Sequence, residues 1–195
     1  MDGSDGAECG SVGPLAVEPL MTIDELLRSP QRRDHAAMPE TDALTELDGL
    51  QEADLVDARF VASEASLAVL FDLRGSLQFR MANVAVLAMR DVRHVDWTCA
   101  EPRGPRWVAH YVMGSKPDIL KDLFKLELVC LRGWRLSAMA TSAEFFVGDV
   151  PGLPEAPPNF VEDDERTIME GMPAWDSTFK PEWATFIDPP SSQHT

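Results

Sequence analysis

The sequence predicts a mainly β fold of the α+β class, built as an antiparallel sheet, sandwich or open barrel of about seven or eight strands. Between residues 54 and 150, hydrophobic residues alternate with a period of two, which is typical of strands that bury one face. No segment between these strands is long enough for the helix of a βαβ crossover, so we expect antiparallel pairing. One or two short helices are expected before this region, and a proline-rich C-terminal arm after it.

The distribution of charge divides the chain into three parts. The 195 residues carry a formal net charge of −16. Residues 1–53 contain 12 acidic and 3 basic side chains, residues 54–150 contain 12 of each, and residues 151–195 contain 9 and 2. The sequence therefore predicts an acidic N-terminal arm with short helices (1–53), a neutral antiparallel β body (54–150) and an acidic, proline-rich C-terminal arm (151–195).

Two short helices are predicted in the N-terminal arm. Thr22 and Glu25 have the spacing of a capping box and predict a helix over residues 22–28. A second helix, over residues 41–50, is predicted by three leucines that recur at every third position: Leu44, Leu47 and Leu50. Both helices are too short to be stable alone in water, so we expect each to dock on the β body or on a partner.

The strands of the β body follow in order. Alternation predicts strands over residues 55–62 and 67–73, and then, after a hairpin turn at 74–76, a strand over residues 77–81. Residues 84–89 are apolar on both faces, as expected of a central strand that is covered on two sides. A helical turn is expected over residues 115–123. The remaining strands are predicted over residues 92–98, 107–113, 124–130, 134–140 and 143–147.

Cysteine usage and the N-terminal sequence point to a cytoplasmic protein. Cys9, Cys99 and Cys130 form no C-x-x-C pair, and an odd number without a framework fits a reducing compartment. The chain starts with an acidic stretch rather than a signal peptide, and no apolar run is long enough to cross a membrane. Excess acid disfavours binding to nucleic acid or anionic lipid, although the neutral β body is less affected. We therefore expect neither a nucleic-acid nor a membrane partner.

Motifs for common catalytic chemistry are not found in the sequence. It contains no G-x-S-x-G elbow, Walker A loop, G-x-G-x-x-G or EF-hand loop. Cys130 alternates with leucines and is expected to pack in the core. The sequence therefore favours a protein that is not an enzyme and predicts no cofactor.

One group of residues suggests metal binding as an alternative. His94 and Asp96 have the H-x-D spacing that places two ligands on the same face of a strand, and His110 lies on the next predicted strand. This group supports the alternative hypothesis of a small metal-dependent enzyme or ligand-binding β-barrel. The competing interpretation is that they are polar residues on a solvent face, next to inward-pointing Val95 and Trp97.

An acidic run in the C-terminal arm is the strongest candidate for a partner-binding site. It consists of Glu162, Asp163, Asp164 and Glu165, and it is followed by aromatic residues that include Trp175 and Trp183. A fully disordered tail would contain fewer aromatic residues. This part of the chain is therefore expected to pack, either over its own sheet or against another protein.

These observations favour a non-enzymatic protein-binding module. A neutral body with acidic arms is typical of an immunity or antitoxin-like inhibitor, or of an accessory subunit, that engages a basic protein partner. Mimicry of nucleic-acid charge would need regularly spaced carboxylates on a rigid surface, and the prolines and irregular spacing argue against it. The sequence leaves the oligomeric state open.

Overall fold

A computed structural model describes residues 21–28, 41–98 and 109–188. Cys9, Cys99 and the start of the strand predicted over residues 107–113 lie outside these ranges. Neither described helix is long and apolar enough to cross a membrane. The helices are α1 (Ile23–Arg28) and α2 (Glu165–Gly171), and the strands are β1 (Met21–Thr22), β2 (Asp54–Val61), β3 (Ser66–Asp72), β4 (Val84–Arg90), β5 (His94–Thr98), β6 (His110–Leu120), β7 (Leu123–Cys130), β8 (Arg135–Ala140), β9 (Ser142–Asp149) and β10 (Thr178–Ile187).

The ten strands form one antiparallel sheet. Their order is β1-β10-β9-β4-β3-β2-β6-β7-β8-β5. Within the described residues the two end strands, β1 and β5, do not pair with each other, so the sheet stays open. The antiparallel, mainly β fold predicted from the sequence is confirmed.

The larger core cluster lies on one face of this sheet. Phe71 of β3 and Phe145 of β9 belong to it, and so do Phe124 of β7 and Leu136 of β8. Because strands from both halves of the order bury side chains in one cluster, the sheet bends around it. Cys130 is buried there too, as expected, and burial raises the pKa of its thiol to about 11.

A smaller core cluster covers the opposite face of the central strands. Leu70 of β3 and Phe146 of β9 point into it, and Ile23 of α1 packs against them. The predicted capping box is confirmed, because Glu25 N donates to Thr22 Oγ1 (3.2 Å) and Thr22 N donates to Glu25 Oε2 (2.8 Å). Strand β4 is buried on both faces, as its sequence predicts.

The prediction of a second N-terminal helix over residues 41–50 is wrong. Residues 41–50 form consecutive turns, with Leu44 and Leu50 buried and Leu47 exposed. The Asp42 carboxylate accepts from Leu44 N (3.0 Å), and Asp48 has a positive φ of 58°. Aspartate side chains that bond to nearby backbone groups compete with helix formation, which explains the turns.

The prediction of a strand over residues 77–81 is also wrong. Strand β4 pairs directly with β3, with Ala85 opposite Phe71, and so occupies the position beside β3 that this segment would need. Only Phe79 reaches the larger core cluster, whereas Leu77 and Met81 are largely exposed. Alternation in the sequence could not show that no neighbouring strand is available.

Two strands contain a proline, which sequence reasoning treats as a strand breaker. Pro117 of β6 pairs with Leu126 of β7, so the helical turn predicted over residues 115–123 is wrong. The described pairing of β6 with β2 ends at Tyr111, and that of β10 with β1 ends at Phe179, before Pro181. Each proline therefore lies where one side of its strand has no paired neighbour among the described residues, and strand edges tolerate proline.

Candidate partner-binding surface

Residues 151–177, called here the C-terminal segment, connect β9 to β10 and are held on the sheet by Arg74. The guanidinium donates from Nη1 to the carbonyl oxygens of Pro154 (3.0 Å) and Ala156 (3.2 Å). It also donates from Nη2 to the carbonyl oxygen of Gly171 (2.7 Å). One side chain therefore fixes the backbone on both sides of the acidic run.

Arg74 is itself held by Asp72, the last residue of β3. Nη2 of Arg74 lies 2.6 Å from Oδ2 of Asp72, and Nε lies 2.9 Å from Oδ1. The two side chains are only 3% and 1% exposed. Arginine suits this place because its planar group carries five N–H donors, enough for one carboxylate and three carbonyl groups.

A third charged group lies beside this buried ion pair. Asp54 of β2 is opposite Asp72 in the sheet register. Burial, with a further contribution from the negative charge of Asp72, raises the pKa of Asp54 to about 6, while Arg74 acts in the opposite direction. At neutral pH the folded protein therefore keeps Asp54 ionised in surroundings that disfavour its negative charge.

Asp54→Asn is expected to stabilise the protein at pH 7.5 by about 1–2 kcal/mol, a value reduced for partial exposure. The raised pKa means that the folded state binds the Asp54 proton more tightly than the unfolded state does. This contribution to wild-type stability is complete below the unfolded value of 3.8 and is lost as the pH rises through about 6. Urea unfolding from pH 3.5 to 8 tests this. A variant whose advantage did not grow between pH 4 and 7 would contradict it, and Asp96→Asn on exposed β5 is the control.

Two of the four acidic residues in the run support local structure. Asp163 Oδ2 accepts from Asn159 N (2.7 Å). Asp164 is the N-cap of α2 and accepts from Thr167 N (2.7 Å), and these hydrogen bonds lower the pKa of its carboxyl. The run is therefore ordered by its own side chains as well as by Arg74.

The carboxylates of the run form no ion pair with another described residue, and three of the four are exposed. Of the ion pairs between described residues, none includes Glu162, Asp163, Asp164 or Glu165. The nearby Arg166 pairs with Glu170 instead (2.7 Å). The run therefore presents a negative surface on an anchored backbone.

The two tryptophans predicted to bind a partner pack within the chain. Trp175 is 4% exposed in the smaller core cluster, and its Nε1 donates to Asp57 Oδ2 (2.6 Å). The guanidinium of Arg59 lies 4.6 Å from the Trp175 ring centroid. Trp183 is partly buried against the larger core cluster. Of the two expectations for this part of the chain, Trp175 follows the first, because it packs over its own sheet.

The three candidate metal ligands are divided between the two faces of the sheet. On β5, Val95 and Trp97 line a cleft together with His110. Side chains alternate along a strand, so His94 and Asp96 point to the opposite, exposed face. Within residues 21–28, 41–98 and 109–188, no three His, Cys, Asp or Glu side chains are placed to hold a metal ion.

His110 belongs instead to an aromatic cluster. Its ring centroid lies 4.4 Å from that of Trp134 and 6.5 Å from that of Trp97, and the two tryptophan rings are 5.6 Å apart. Burial lowers the pKa of His110, which favours the neutral imidazole. Packing against these two tryptophans therefore explains the position of the His110 side chain.

Sequence reasoning found the acidic run but missed the pair that positions it. Arg74 was assigned only to a hairpin turn, and its carbonyl acceptors lie 80 to 97 residues further along the chain. The one local signal is Asp72, a carboxylate directly after the apolar residues of β3. A buried carboxylate at the end of a strand needs an oppositely charged side chain beside it, but the sequence does not show which residue supplies that charge.

Comparisons with known proteins identify no family. No protein-family model and no curated protein matches the chain. A crystal structure of an uncharacterized protein from Neisseria gonorrhoeae is similar over 49% of this chain and 90% of that chain, with 8% identity and a TM-score of 0.36. A similarity this weak carries no argument about function.

Proposed function

We propose that this protein is a non-enzymatic protein-binding module that engages a basic protein partner. It would act as an immunity or antitoxin-like inhibitor of a cationic protein, or as an accessory subunit of an assembly. The observation that supports this proposal is the acidic run, residues 162–165, which is exposed at three of its four positions and lies on a backbone anchored by Arg74.

Anchoring matters because it affects both the rate and the free energy of binding. Several carboxylates close together produce a negative potential that attracts a basic surface and raises the association rate at low salt. A segment already held in place loses less conformational entropy on binding than a disordered tail would. The geometry therefore suits capture of a cationic protein.

The first experiment is affinity capture from the lysate of the native host at low and high salt, with identification of what is retained. We expect a protein with a basic isoelectric point, retained at low salt and released at high salt. The captured protein is then purified, and its binding to the full chain is measured. Recovery of no basic protein at low salt would contradict the proposal.

Charge variants then test the surface itself. Glu162→Gln/Glu165→Gln removes two charges and leaves the structural carboxylates Asp163 and Asp164 in place. We expect association with the purified partner to slow by about three- to tenfold at low salt, and its salt dependence to weaken. Glu64→Gln/Asp122→Asn removes two charges from loops of the β body and is the matched control. Equal effects of the two pairs would show that only net charge matters.

A further inference from the structure

A cavity lies between the sheet and the C-terminal segment. Its volume is about 370 Å³, and its floor is formed by Val56 of β2 and Leu70 of β3. Trp175 closes one side, and Ile168 and Met169 of α2 form part of the wall. This volume is in the range of pockets that accept a ligand group.

Two of the residues that line the cavity are methionines. Met169 is 53% exposed although it lines the cavity, and Met172 lines it from the residue after α2. Methionine is flexible and polarizable, and it is common on surfaces that accept varied apolar side chains. Val161, at the other end of the acidic run, is almost fully exposed. The run is therefore bordered on both sides by accessible apolar groups.

Carboxylates accompany these apolar groups. Glu165 precedes Ile168 by three residues and Met169 by four, so all three lie on one face of α2. Asp57 also lines the cavity, but it accepts the Trp175 hydrogen bond and lies 3.7 Å from Nε of Arg59, so it already has a cation beside it. A ligand group that fills the cavity and carries a positive charge beside it would match both the apolar lining and the carboxylate of Glu165.

We propose that this cavity receives a large apolar side chain from a cationic amphipathic segment of the basic partner. The lysines or arginines that flank this side chain would contact Glu162 and Glu165. This inference rests on the proposed function and adds an anchor to it: charge speeds the encounter, and a buried apolar side chain slows dissociation. The segment is favoured as occupant because Phe160 and Ile168, which flank the acidic run in the sequence, both line the cavity, so negative charge lies close to an apolar lining.

The test uses the full chain labelled with ¹³C at its methionine methyl groups. It is titrated with a synthetic 18-residue amphipathic helix of lysine and leucine, and separately with a peptide of the same composition whose leucines form no single face. We expect the methyl signals of Met169 and Met172 to shift with the amphipathic peptide, and the signal of buried Met89 to stay unchanged. Binding of the second peptide is expected to be about tenfold weaker.

Two variants with similar exposure separate the cavity from the general surface. Met169→Gln is expected to weaken peptide binding about tenfold. Met113→Gln is the control, because Met113 is 51% exposed on β6 and does not line the cavity. The same pair of variants is measured with the purified partner.

Three outcomes would contradict the anchor, and the first two of them leave the proposed function standing. If the charge variants weaken binding and Met169→Gln does not, the anchor is wrong and the proposed function stands. If the lipophilic cation tetraphenylphosphonium shifts the Met169 signal and the peptide does not, the cavity is a small-molecule site and the anchor is again wrong. If the chain binds neither the peptide nor a basic protein, both proposals fail.

Discussion

Arg74→Met is expected to lower the free energy of unfolding by about 3–5 kcal/mol, measured by urea unfolding at neutral pH. The substitution leaves Asp72 as a buried carboxylate with no cation beside it, and this accounts for most of the loss. It also removes the donors to Pro154, Ala156 and Gly171, so the C-terminal segment is expected to loosen. Limited proteolysis should then cleave between residues 151 and 177 faster than in the wild type.

Two further variants show that the effect comes from the buried pair. Asp72→Asn/Arg74→Met removes both charges and is expected to recover part of the lost stability, because no unpaired charge remains. Arg80→Met is the control, since Arg80 is exposed and its hydrogen bond within the described part of the chain goes to the carbonyl oxygen of nearby Leu77. If Arg74→Met unfolded at the same urea concentration as Arg80→Met, the anchoring role of Arg74 would be refuted.

Trp175→Ala is expected to have an effect of similar size, about 3–5 kcal/mol, because it removes the largest side chain from the smaller core cluster. It also leaves Asp57 without the indole donor and removes the ring under the Arg59 guanidinium. Thermal and urea unfolding measure the loss. The result would show that the tryptophan stabilises its own fold.

The matched control is Trp97→Ala on β5. Trp97 is 39% exposed and packs against Trp134, so its loss is expected to cost about 1–2 kcal/mol. A smaller loss for Trp175→Ala than for Trp97→Ala would contradict the placement of Trp175 in the smaller core cluster.

Most strands could be predicted because alternation is a property of each strand alone. Residues 124–130 alternate apolar with polar side chains, and the structure has β7 there. The same signal failed at residues 77–81, since a strand also needs a neighbour to accept its backbone hydrogen bonds. Pro181 misled in the opposite direction, because a strand tolerates proline only at edges that the complete sheet defines.

The candidate site was predicted in its charge but not in its geometry. The acidic run, residues 162–165, was recognisable from four consecutive carboxyl groups. The turn before the run is held by Asn159, and the helix cap after it joins Asp164 to Thr167. All three residues lie close together in the sequence. The burial of Trp175 depends on β2, more than a hundred residues earlier, so no local pattern indicates it.

The sequence by itself determined that this chain forms an antiparallel β fold and that its excess of acidic residues lies outside residues 54–150, because periodicity and composition are local properties. Only the tertiary structure decided how the acidic segment is held. Arg74 binds backbone carbonyl groups, which are the same in every residue and leave no trace in the sequence. The cavity beside Met169 likewise exists only because α2 is placed over β2 and β3.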